Sequence, residues 1–178
     1  MRMGVYRAGL RYLEVLAVTW PALRGAAASA ADAAKKSLRE AEMATREVWG
    51  ERRGSLHYVG RNARGATVEI GKGEGQFSPG ELLKLALAGC AALSADHRLE
   101  TKLGEDFEAE LDVDATYDEA GNRYTAFAVA LHTDLGELPE AEVQLLKERA
   151  IRAIERICTV GRTFDAGTTH TIDIQRNN

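Results

Sequence analysis

From Leu56 to Ile174 the apolar positions switch between a period of two and a helical period, and each switch marks an element. Leu56-His-Tyr-Val59 reads as extended and Gly60 to Gly65 as a turn. Ala66 to Ile70 then alternates, so the stretch predicts a β-hairpin. Gly71, Gly73 and Gly75 follow, but without the terminal Lys-Ser/Thr of a phosphate loop they read as a flexible connector. Ser78 offers an N-cap, Pro79 suits the first helical position, and Glu81 completes a capping box. Leu82 to Leu93 is apolar on almost every face apart from Lys84, the mark of a buried helix, and Gly104 lies beyond its end. Phe107, Ala109, Leu111, Val113 and Ala115 alternate with largely acidic residues, among them Asp112 and Asp114 on a face expected to meet solvent. Asp118 to Asn122 is a turn and Tyr124 to His132 returns as a strand, giving a second hairpin. Pro139 opens a second helix, with Val143, Leu146, Ala150, Ile151, Ile154 and Ile157 at helical spacing. Thr168 to Ile174 alternates once more and predicts a closing strand. The expected fold class is α+β, with two hairpins and a C-terminal strand around two long helices.

Residues 1–46 differ from this pattern. Ala26 to Thr45 is rich in Ala, Lys, Arg and Glu, which favours helix, yet it has few large side chains to bury. Met1 to Leu23 has the outline of a signal peptide, but Glu14 and Pro21 interrupt its apolar stretch. The expectation is a helical or disordered extension over 1–46 ahead of a domain over 47–178. At 178 residues there is room for one real core plus this appendage. A net charge of −4 with scattered Lys and Arg speaks against a nucleic-acid surface. No apolar run reaches the ~18 residues of a membrane span. Two cysteines are too few for a disulfide-stapled secreted domain and fit a reducing, cytoplasmic setting.

Those cysteines carry the candidate chemistry. Cys90 lies in the first helix and Cys158 closes the second, 68 positions later, so no local metal-knuckle spacing joins them. His57, His97, His132 and His170 show no ligand spacing either, and no metal is expected. Two inert core thiols are one reading. If the fold brings the pair together, the other is a dithiol that cycles through a disulfide.

Ser-Pro-Gly-Glu-Leu-Leu through Ala-Gly-Cys90, followed by Ile-Cys158-Thr-Val-Gly-Arg-Thr-Phe164, resembles the OsmC/Ohr family, with Tyr58 to Gly65 fitting that family's first hairpin. The resemblance covers roughly residues 47–176. It implies an intertwined homodimer with active sites at the subunit interface, protecting against oxidative or osmotic stress by reducing organic hydroperoxides. By position Cys90 would be the peroxidatic cysteine and Cys158 the resolving one. Arg61 would stabilise the thiolate, with Arg64 the second choice. No cofactor would be bound, and an external lipoyl-type or similar dithiol would serve as reductant.

Two positions depart from that pattern. Gly80 stands where the hydroperoxidase branch has a Glu, and Thr159 where Pro often follows the resolving cysteine. Glu81 is a neighbouring acid, but at 100° per residue it projects from the opposite side of the helix to Cys90 and reads as a cap. Arg162 reads as a helix-end ligand of carbonyls rather than part of the site. Both departures favour the broader OsmC-like branch. They keep two alternatives open: a non-catalytic module binding a small apolar ligand at the dimer interface, and an interaction protein using its N-terminal extension.

Overall fold

A computed structural model describes residues 29–30, 32–38 and 45–176. Residues 32–38 are helical and exposed, and the signal-like stretch lies outside the described residues. The chain forms two compact units, residues 1–69 and 70–178.

The first unit is built on a three-stranded sheet in the order β1 (Val48–Gly54), β2 (His57–Asn62), β3 (Thr67–Ile70), with β1 and β2 antiparallel. β2 and β3 are the expected hairpin. β1 is an addition that the pattern hid, because Val-Trp-Gly-Glu-Arg-Arg-Gly has no apolar alternation and Val48 is exposed. Its register sets Trp49 opposite Arg61 and Glu51 opposite Val59, which is buried.

The second unit holds α1 (Pro79–Leu103), the hairpin β4 (Ala109–Asp118) and β5 (Arg123–Thr133), α2 (Glu140–Ile157) and α3 (Thr159–Ala166). α1 starts as its sequence dictates. The Ser78 hydroxyl accepts the Glu81 N–H at 3.2 Å, and the Glu81 carboxylate accepts the Ser78 N–H at 2.7 Å. Gly104, at φ 99°, ends the helix in a conformation that favours glycine. β4 and β5 run antiparallel from Ala109 opposite Thr133 to Asp118 opposite Arg123, leaving Asp112 and Asp114 exposed as expected. Ala95 and Leu99 of α1 meet Leu146 and Ala150 of α2 in the core, closed over by Phe107, Leu131, Leu135 and Leu138.

Two expectations are corrected. Residues 168–176 form no strand, and Ile172 and Ile174 stand 85% and 95% exposed. Alternation fixes which side chains share a face, but a strand also needs a neighbour to pair with, and this segment pairs with no strand among the described residues. Nor is α1 buried all round. Ala88, Ala91, Ala95 and Leu99 line its buried face, whereas Leu93 is 79% exposed and Leu85 48%. One chain covers one face of a helix that is apolar on several.

Candidate active site

Cys90 sits half-buried on α1, and Cys158, only 2% exposed, sits in the break between α2 and α3. That break is a single residue. The Cys158 N–H closes the last turn of α2 on the Ile154 carbonyl at 2.9 Å, while φ −67° and ψ 96° take its backbone out of the helix. Its carbonyl then accepts the Arg162 N–H at 3.0 Å, and its sulfur accepts the Gly161 N–H at 3.4 Å. Cys158 therefore caps α3 in the manner of a Ser or Asp. A side chain at position 161 would bring its Cβ within 3.3 Å of that sulfur, so glycine stands at the point of closest approach.

The same helical turn reaches the second sulfur. The Val160 N–H points at Cys90 Sγ from 3.5 Å. This amide is the main reason the Cys90 thiol titrates below its ordinary value. Burial opposes it, and the Cys158 thiol and the Thr159 amide reinforce it. Cys158 moves the other way. Burial pushes its thiol up, as does the charge of Cys90, against the Gly161 amide. One sulfur thus ionises early beside another that keeps its proton. A thiolate is the nucleophilic form of cysteine, and a thiol within reach can condense with its oxidised product. A cavity of about 360 Å³ adjoins Cys158, walled mainly by Leu87, Phe127, Val129, Leu131, Ile151 and Ile154.

A sequence model of the OsmC-like proteins matches residues 71–173, more than half of the chain and all of the helical region just described. The chain belongs to the OsmC-like protein family. It is 40% identical over 130 residues to the uncharacterized protein Rv2923c of Mycobacterium tuberculosis, a match spanning 72% of this chain and 95% of that one. Among solved structures it resembles a hypothetical protein of Aquifex aeolicus, with a TM-score of 0.56 and 19% identity over 70% of this chain and 89% of that one. It also resembles an OsmC-like protein of Mycoplasma pneumoniae, with a TM-score of 0.50 and 12% identity over 66% and 85%.

The remaining residues singled out in this OsmC-like protein fall into place separately. Arg61, on β2, turns its Nε toward Glu51 at 3.5 Å, and Trp49 donates to the same carboxylate at 3.2 Å. Arg64 is exposed in the following turn, where its backbone N–H donates to Asn62 Oδ1 at 3.0 Å. Glu81 is a capping residue, its carboxyl held below the usual range mainly by the Ser78 N–H. Arg162 donates to the Arg156 carbonyl at 3.3 Å, the helix-end role its position suggested. Among the described residues no cluster of His, Cys, Asp and Glu could hold a metal.

Sequence reasoning missed two features. One is α3 itself, whose Val160 and Phe164 at i and i+4 after a capping residue were the available signal. The other is what fills the space at Gly80. The Tyr124 hydroxyl stands where a Cβ would be, and Tyr124 continues through Phe127 to Phe164 with ring centroids 5.2 and 5.3 Å apart. Glycine at position 80 is thus matched to a tyrosine on β5.

Two outcomes follow from this packing. Gly80→Ala should destabilise the fold by about 1–3 kcal/mol through overpacking. In a Tyr124→Phe background the same change should become neutral or favourable by up to about 1 kcal/mol, the ordinary helix preference for Ala; urea denaturation of the four proteins measures the cycle. Thr159→Pro removes an amide that faces Cys90 while keeping a residue suited to the first helical position. Cys90 alkylation rates plotted against pH should therefore shift to a higher midpoint, with the fold retained.

Proposed function

We propose that this OsmC-like protein is a two-cysteine thiol peroxidase that reduces organic hydroperoxides. The observation that carries the reading is the shared helix start, where the Val160 amide faces Cys90 Sγ and the Gly161 amide faces Cys158 Sγ. In the first step the Cys90 thiolate attacks the terminal peroxide oxygen and the O–O bond breaks. Cys90 becomes a sulfenic acid, and the departing alkoxide takes a proton to leave as an alcohol. Cys158 then attacks the sulfenic sulfur, water departs, and a Cys90–Cys158 disulfide remains. An external small dithiol of the lipoyl type restores both thiols and is itself oxidised to a disulfide.

The cavity beside Cys158 suits the apolar part of such a substrate. It also supports a second reading, a module that holds a small apolar ligand without turnover, and Gly80 in place of an acid favours that alternative. We further infer a homodimer, because α1 leaves Leu93 and Leu85 uncovered and Ile151 on α2 is 54% exposed. An apolar helix face of this kind requires a partner.

Turnover of cumene hydroperoxide with dihydrolipoamide separates the two readings. Cys90→Ser should abolish it, and Cys158→Ser should leave a Cys90 sulfenic acid that advances to sulfinic acid on excess peroxide. Undiminished turnover in Cys90→Ser would remove Cys90 from the reaction, and no turnover in the unaltered protein would leave the ligand-binding reading. For assembly, sedimentation should report a dimer that Leu93→Glu converts to monomer; an unaltered protein that sediments as a monomer contradicts the inference.

A further inference from the structure

The face of α2 turned away from the cysteine pair gathers positive charge. Arg149 and Arg156 lie about 20° apart around the helix and Arg152 about 60° from Arg149, whereas Cys158 projects about 180° away. Arg98 and Lys102 of α1 face them across a groove of about 550 Å³. Leu145, Leu146 and Ala153 give the groove an aliphatic floor, and none of its lining residues lines the cavity at Cys158.

This concentration runs against the chain as a whole, whose net charge is −4. Like charges at i,i+3 and i,i+4 destabilise a helix unless something of opposite sign meets them. Among the described residues there are two such partners. Glu142 meets Lys102, and Glu148 lies 3.5 Å from Arg152. Among the described residues no carboxylate forms an ion pair with Arg98, Arg149 or Arg156. Three guanidinium groups are left facing one open groove.

The spacing and the lining select the class of ligand. A guanidinium presents a planar fork that matches the oxygens of phosphate in pairs. Arg149 and Arg156 are seven residues apart, about 10 Å along the axis, a distance that a single orthophosphate does not bridge. A chain of phosphates does. The groove offers no aromatic ring on which a base could stack. We propose that the groove between α1 and α2 binds a linear polyphosphate, recognised by Arg98, Arg149 and Arg156 through its phosphate chain. That chain could come from condensed inorganic phosphate or from a nucleoside triphosphate, and the two are separable by experiment.

Isothermal titration of the full chain with inorganic tripolyphosphate, orthophosphate and ATP tests the assignment. Tripolyphosphate should bind saturably, about tenfold or more tighter than orthophosphate, with affinity falling as salt rises. ATP should bind no tighter than tripolyphosphate, since only its phosphates are read. The pair Arg149→Gln and Arg156→Gln should weaken tripolyphosphate about tenfold or more, and Arg149→Lys with Arg156→Lys, which keeps charge but loses the fork, should weaken it less. Arg123→Gln, a cation on β5 outside the groove, should change nothing. No saturable binding would overturn the proposal, as would equal affinity for orthophosphate. Binding indifferent to the double Gln change, or weakened equally by Arg123→Gln, would reduce it to general charge attraction. Markedly tighter ATP would replace the phosphate-chain assignment with recognition of a nucleoside.

Discussion

The two sulfurs share one short run of backbone. α3 begins at Cys158, and its first turn has amide hydrogens without partners of their own, as every helix start does. The Gly161 amide meets the sulfur of the residue that caps the helix, and the Val160 amide meets a sulfur on another helix. Helix starts favour negative charge, so the arrangement stabilises a thiolate through backbone amides. Burial discriminates between the two positions. Burial pushes the thiol of the nearly inaccessible Cys158 up, while the Val160 amide brings that of the better exposed Cys90 down.

Much of the second unit follows from holding that turn in place. α1 and α2 pack through small residues, Ala95 and Ala150 among them, which lets the helices approach closely. The break at Cys158 turns the chain so that the Val160 amide of α3 faces Cys90 on α1. Phe164 of α3 stacks on Phe127, and the aromatic series passes along β5 to Tyr124, whose hydroxyl lies beside Gly80 at the start of α1. Gly80 and Gly161 both stand where a neighbouring side chain comes close, one beside a hydroxyl and the other beside a sulfur.

The strongly patterned elements were legible from the sequence. The capping box at Ser78 and Glu81 fixed the start of α1, and period-two alternation located β4 and β5. Both cysteines and their nearness could be expected once their flanking residues were seen to resemble the OsmC/Ohr family. What escaped was set by tertiary geometry rather than local pattern. β1 is held by pairing to β2 despite a polar sequence. α3 is too short to show a clear period, and it is the element whose amides polarise the site. The Val160 donor that faces Cys90 is a backbone group, which no side-chain motif announces. The reverse error occurred at residues 168–176, where a strand pattern pairs with no strand among the described residues.

The most direct test is a pH titration of thiolate absorbance for Cys90 alone, in Cys158→Ser, and for Cys158 alone, in Cys90→Ser. With each cysteine isolated, the mutual coupling that blurs a paired titration is removed. Cys90 should ionise below the value of about 8.5 for a free cysteine and Cys158 above it. Coincident transitions near the free value, or Cys158 ionising first, would contradict the account of a helix start that selects Cys90 as the thiolate.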